Sequence, residues 1–176
     1  MPSSIGSEYR ATRFDPGIPP AVEIAGGTTI RVETDDSVYE RLAAGESIES
    51  VGIENLNVVT GPIAISDAEP GDALRIDILS IEIARAWTAW LPDFGPLGNR
   101  VAASRVRQLR IDGAFVEISN RLRVPLQPSI HSMPMRTSAP ACQRGLTVRR
   151  ARSCSRSFRI RVPFHRRTSS TRHPPA

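Results

Sequence analysis

The chain contains no lysine, no acidic residue after Glu117 and no histidine before His131. All 18 acids but only 10 of the 23 arginines fall in residues 1–117, so that part carries 10 − 18 = −8 and the remainder 23 − 10 = +13. The net charge of +5 describes neither part. An acid-free stretch of scattered Arg, Ser and Pro buries little apolar surface, so less than the full 176 residues is expected to fold. Residues 1–130 are long enough to enclose one core. Met1–Arg10 (MPSSIGSEYR) lacks the apolar segment of a secretory leader, and no apolar run approaches the ~20 residues of a membrane span. A soluble cytoplasmic protein with no membrane partner is the expectation. Cysteine is also scarce. Cys142 and Cys154 lie in the acid-free part without a CxxC or HxxxH spacing, so they indicate neither a disulfide framework nor a zinc site.

What is present up to residue 130 reads as β-structure. Thr28–Thr34 (TTIRVET) alternates, with Ile30 and Val32 on one face of a half-buried strand. Ser37–Glu49 is polar with small residues, and Val38, Leu42 and Ala43 can line a short helix. Asn57–Ser66 (NVVTGPIAIS) reads as two strand pieces joined at Gly61-Pro62, where proline removes a ladder donor. Glu69-Pro70-Gly71-Asp72 is a turn, because Pro presets φ at its second position and Gly accepts positive φ at its third.

The segment after it changes phase. Leu74, Ile76 and Ile78 share one face, then Leu79, Ile81 and Ile83 the opposite one. Such a slip predicts a β-bulge or a strand that switches its buried face. Val106–Ile118 predicts a hairpin closed by a type I′ turn at Asp112-Gly113, pairing Ile111 with Ala114 and Leu109 with Val116. Arg121–Gln127 adds a strand that Pro125 places at an edge. The expected fold is mainly β: sandwich-like antiparallel or mixed sheets with little helix over residues 1–130, followed by a disordered basic tail over 131–176, where periodicity is lost.

Three blocks carry a resemblance. Val59-Thr60-Gly61-Pro62-Ile63, followed by Ala68-Glu69-Pro70-Gly71-Asp72-Ala73-Leu74 and Ile76-Asp77-Ile78-Leu79, is similar to the VTGPI…AEPGDxLxVxIL block of the acetamidase/formamidase family. Trp87–Gly98 (WTAWLPDFGPLG) resembles the family's WTAxxPGFGxLG segment, and Arg123–Pro128 (RVPLQP) its RxPLxP strand. In similar proteins a glycine-rich strand and a His-Gly-Gly-Asn-Met-Asp-like segment follow. Here the sequence continues as Ser129-Ile130-His131-Ser132-Met133-Pro134 and an Arg/Ser-rich stretch. A gene rich enough in G and C to use Arg and never Lys yields Arg, Pro, Ser, Ala, Thr and His when read out of frame, which matches this composition. The expectation is therefore a truncated, frameshifted homologue that is incomplete relative to the family.

The resemblance implies hydrolysis of the C–N bond of short linear amides, homo-oligomerisation, and a divalent metal such as Zn²⁺ that activates water. Such a centre needs converging His and carboxylate ligands, and residues 1–130 supply no histidine, so no metal ligand and no catalytic residue is assigned. Carboxylates that could line a site are Asp35, Asp36, Asp67, Asp72 and Asp93. Each competes with a structural role: strand end for Asp35 and Asp36, turn cap for Asp72, polar loop for the other two. Trp87, Trp90, Phe94 and Asp93 are the substrate-pocket candidates, since large rings often wall small-molecule pockets, with burial in the core as the competing role for the tryptophans. Thr60, Gly61, Pro62, Glu69, Pro70, Gly71 and Asp72 are read as structural. The 13 arginines after residue 117 could contact nucleic acid nonspecifically as part of a non-catalytic module. Phe158 and Phe164 are too few to build a stacking platform there, so nucleic acid is disfavoured as a partner.

Overall fold

The computed structural model describes residues 3–15, 17–69, 72–130, 154–162 and 164–165. It is mostly strand (41%) with little helix (15%), which is the mainly-β class expected from the alternation. A seven-stranded sheet runs in the order β1 (Ser3–Ile5), β4 (Thr29–Glu33), β12 (Cys154–Arg161), β8 (Asp77–Trp90), β9 (Arg105–Asp112), β10 (Phe115–Ser119) and β11 (Leu122–Pro125). Its β1–β4 pair is parallel and its other pairs are antiparallel. Three two-stranded ladders accompany it: β2 (Arg10–Ala11) with β5 (Val59–Thr60), β3 (Val22–Ile24) with β6 (Ile63–Ile65), and β7 (Ala73–Leu74) with β13 (Phe164–His165). Two helices, α1 (Ser37–Ala43) and α2 (Ile48–Val51), and a 3-10 turn at Ile53–Asn57 connect β4 to β5.

Alternation decides what is buried. Along β4 only Ile30 and Val32 are fully enclosed, and they meet Ile5, Ile24 and Val162, with Val22, Ile63 and Ile65 packed against them. The β3–β6 ladder and the main sheet thus share one core as two β layers. Val38 and Leu42, four residues apart on α1, form a second cluster with Val51, Leu56 and Leu91. Ala86, Leu109 and Val116 make a third on the β8–β9–β10 part of the sheet.

The Thr60-Gly61-Pro62 motif is an architectural junction. Thr60 Oγ1 donates to the Glu33 carbonyl, the Gly61 N–H to the Tyr9 carbonyl (2.9 Å), and the Pro62 carbonyl accepts from the Ala21 N–H (2.9 Å). Gly61 sits at φ 131°, beyond the range of other residues, and the Gly61-Pro62 bond is cis. The Glu69–Asp72 turn is closed by the Asp72 N–H on the Glu69 carbonyl (3.0 Å), while the Asp72 carboxylate accepts from the Glu69 N–H (2.7 Å). Pro70 and Gly71 between them lie outside the described residues. The phase slip in β8 is a bulge: Ile160 lies opposite Ile78 and Arg159 opposite Ser80, leaving Leu79 as the extra residue.

Two expectations change. The 109–118 hairpin turns one residue later, at Gly113-Ala114, with Phe115 opposite Asp112 and Val116 opposite Ile111. Positive φ is used at Gly113 (57°), and Asp93 is the one described non-glycine residue with positive φ, so Ala114 does not share it as a type I′ turn would require. The slide moves each strand by one residue, which keeps Leu109, Ile111, Val116 and Ile118 on a single face. The other change concerns the basic segment. Residues 131–153 lie outside the described residues, but Cys154–Arg161 forms β12 between β4 and β8, where no regular structure was expected. Ser157-Phe158-Arg159-Ile160-Arg161-Val162 alternates with period two. The register sets Phe158 opposite Val32 and Ile160 opposite Ile30, while Val162 is buried. Arg121–Gln127 supplies the edge strand β11, with Pro125 as its last residue, as Pro125 requires.

Candidate functional site

Between β4 and α1 two consecutive carboxylates leave the chain in different directions. Asp36 turns inward and is 7% exposed, a buried charge that must be paired to be tolerated. Its Oδ2 accepts from Trp87 Nε1 at 2.9 Å and its Oδ1 from Arg85 Nη2; Arg85 Nη1 also reaches Glu40 on α1. Arg85 and Trp87 are two residues apart on β8 and so project from the same face. Tyr39, on the first turn of α1, stacks on Trp87 with ring centroids 6.3 Å apart and 20° between planes, and its hydroxyl donates to the Leu56 carbonyl at 3.0 Å. The result is a closed polar cluster around a buried indole.

Asp35 faces the other way. Its carboxylate accepts from the Ser37 N–H (3.1 Å), the Ser37 hydroxyl (2.9 Å) and Arg10 Nη1, so it serves the start of α1 in place of Asp36, whose side chain is engaged elsewhere. Arg10, Asp35, Ser7 and Glu8 line a cleft of about 380 Å³. Partial burial opposes ionisation of Asp35, but the Ser37 N–H, the Arg10 guanidinium and the Ser37 hydroxyl outweigh it and hold the carboxyl below its ordinary 3.8. Arg41 likewise holds Glu46, and Arg110 holds Glu117, below the ordinary 4.5. Depressed carboxyl values stabilise the fold above the unfolded value and lose that contribution as pH falls through the folded one. The melting temperature is therefore expected to hold from pH 7 down to about 5 and to fall below the ordinary carboxyl range of ~4. Arg10→Ala should lower stability at pH 7 by less than about 1 kcal/mol, because Arg10 is half exposed, and should flatten the acid limb; an unchanged limb in a melting series from pH 2 to 7 would count against the Asp35 pairing.

The cleft pairs an acceptor with a donor: Asp35 can receive an amide N–H and Arg10 can donate to a carbonyl or carboxylate oxygen. Asp36 has both oxygens engaged, which suits an anchor that fixes Trp87 rather than a free base. Of the residues expected at a pocket, Trp87 and Asp36 are brought together. Trp90 (45% exposed) projects from the opposite face of β8, and Phe94 (46% exposed) and Asp93 lie in the loop beyond it. That loop closes on itself: the Asp93 N–H donates to the Gly98 carbonyl (3.1 Å), Asp93 holds φ 58°, and a Cβ on Gly98 would stand 2.6 Å from the Asp93 carbonyl carbon. Asp67 accepts from the Gly26 N–H (2.8 Å) and pins a turn, and Asp72 caps its own turn. Arg10, Ser37, Tyr39, Glu40 and Arg85 were not singled out from the sequence. Arg85 carried a signal, as the charged residue two positions before Trp87 on the same strand phase. Arg10 lies 25 positions from Asp35 and carried none.

Among the described residues no three His, Cys, Asp or Glu side chains converge on a point that could hold a metal ion. No helix there is long and apolar enough to cross a membrane. The sequence profile of the Acetamidase/Formamidase family matches residues 4–122. The chain is 34% identical over 73 residues to an acetamidase of Mycolicibacterium smegmatis, a match covering 39% of this chain and 18% of that protein. Its fold superposes on the crystal structure of an acetamidase from Bacillus halodurans with a TM-score of 0.62 at 26% identity, covering 69% of this chain and 42% of that one. A predicted acetamidase/formamidase of Thermoanaerobacter tengcongensis gives 0.61 at 26% identity, covering 70% and 42%. The chain thus spans less than half the length of the solved structures it matches, and about a fifth of the curated relative's.

Proposed function

This chain belongs to the acetamidase/formamidase family, and from that premise we propose that it is an amidohydrolase splitting the C–N bond of short linear amides into ammonia and a carboxylate. The observation that carries the reading is the family match over residues 4–122, which takes in the whole β4–α1 corner and its cleft. In that cleft Arg10 orients the substrate carbonyl and Asp35 the amide nitrogen, while the Asp36–Trp87–Arg85–Glu40 cluster ties the start of α1, next to Asp35, to β8. Asp35 is ionised at neutral pH and so binds and orients; its lowered basicity does not suit it to abstract a proton from water.

The divalent metal the family implies would supply an activated water when bound. The described donor set does not fit a zinc centre, which needs three or more convergent His, Cys or carboxylate ligands. His131 and His173 lie outside the described residues, and no ligand is assigned. The same mismatch favours a second reading, a non-catalytic module that retained the fold and binds amides without turnover.

Ammonia release from formamide and acetamide, with and without added Zn²⁺, separates the two. Turnover that Arg10→Ala reduces at least tenfold supports the enzyme. Saturable amide binding by calorimetry without ammonia supports the module, and neither binding nor turnover removes both. Translating the gene in its other two frames beyond the Pro128 codon tests the frameshift, which requires an acid-containing, glycine-rich continuation.

A further inference from the structure

Residues 94–111 include Arg100, Arg105, Arg107 and Arg110 and no acid. The antiparallel register of β8 and β9 sets Trp90 opposite Arg105 and Thr88 opposite Arg107, so Trp90 and the two arginines share one sheet face. All three side chains are exposed. Arg107 Nη2 donates to the Ile118 carbonyl, which ties it to the end of the sheet where β10 turns into β11 through Arg121, also exposed. Arg110 and Arg123 are neutralised by Glu117 and Asp112, whereas Arg105, Arg107 and Arg121 form no ion pair among the described residues. The acid nearest to Trp90 in sequence is Asp93, in the loop that follows.

From this juxtaposition we propose that the Trp90–Arg105 end of the β8–β9–β10 sheet binds a single-stranded nucleic acid, with a base stacked on Trp90 and phosphates on Arg105, Arg107 and Arg121. The face of a strand pair is open and extended along the strands, so it suits an extended ligand. Arg105 and Arg107, two residues apart on one strand, stand about 7 Å apart at their Cα atoms, a spacing an extended sugar–phosphate chain can follow. An exposed indole beside uncompensated guanidinium groups is the combination that stacks bases and tracks a backbone without reading sequence. An acidic peptide would use the arginines but would gain little from the ring. The surface lies within residues 90–121, apart from the basic segment beyond residue 130, and does not depend on amide hydrolysis.

The test is titration of the full chain with a 15-nucleotide oligo(dT), read by tryptophan fluorescence across a salt series. Trp87 is buried, so quenching reports Trp90. Quenching is expected, with Trp90→Ala abolishing it and weakening binding about tenfold. The double variant Arg105→Ala/Arg107→Ala should reduce the slope of log affinity against log salt by about 1.4, from two lost phosphate contacts at ~0.7 each. Arg105→Lys/Arg107→Lys should restore that slope, which guards against misfolding as the cause. Binding without quenching, or a slope unchanged in the alanine double variant, would assign the affinity to the remaining arginines and overturn the proposal. Equal competition by a polyglutamate peptide would overturn it in favour of an acidic protein partner.

Discussion

Asp36→Ala is expected to destabilise the fold by about 2–4 kcal/mol, read as a lower urea midpoint at unchanged slope. Removing the carboxylate leaves the buried Trp87 N–H without its acceptor and the Arg85 guanidinium without its inward partner. An orphaned buried donor costs roughly 1–3 kcal/mol and a broken buried ion pair 3–5 kcal/mol. The upper end is discounted here because Arg85 is 37% exposed and keeps Glu40 as a partner. Asp36→Asn should cost about half as much, since an amide oxygen can still accept from the indole. A red shift of native tryptophan emission should accompany the alanine variant, as Trp87 gains water. Asp93→Ala, in an exposed loop, should change emission little. If Asp36→Ala unfolds at the wild-type midpoint, the cluster does not hold the α1–β8 contact.

Arg159→Pro should lower stability by about 3 kcal/mol and accelerate amide exchange in β4 and β8 together. The reason is position: Arg159 lies opposite Arg31 on one side and Ser80 on the other, so a proline there removes a ladder donor inside the sheet. The side chain is exposed, so Arg159→Ser serves as a control that keeps the backbone donor and should stay within about 0.5 kcal/mol of wild type. Because β4 and β8 both pair with β12, its loss separates β1–β4 from β8–β11 apart from contacts such as the Arg31–Glu82 ion pair (3.2 Å). Native exchange of β4 and β8 in the proline variant would mean that Cys154–Arg161 does not complete the sheet.

Local chemistry made much of the fold legible. Ile30 and Val32 announced their strand by alternation, Val38 and Leu42 their helix by spacing, and the phase slip at Ile78 and Leu79 the bulge. Gly61-Pro62 and Glu69–Asp72 announced their junction and turn because φ restrictions act within a few residues. The hairpin turn was misplaced by one residue for a related reason. Asp112-Gly113 and Gly113-Ala114 both offer a positive-φ glycine and both keep the apolar residues on one face, so the local signal does not choose between them.

Composition misdirected the reading of Cys154–Arg161. Absence of acids and abundance of Arg and Ser argue against a core, yet a central strand needs only a few alternating apolar positions and two edges to pair with, and β4 and β8 provide the edges. The site shows the same division. The sequence by itself determined the family blocks, the mainly-β class and the candidates Asp35, Asp36 and Trp87. The tertiary structure decided that Asp36 meets Trp87 and Arg85, about fifty positions away, that Arg10 meets Asp35, and that Trp90 faces outward beside Arg105. Turn propensity and strand alternation are set by neighbouring residues, whereas pairing of a buried charge depends on which strands the sheet order brings side by side.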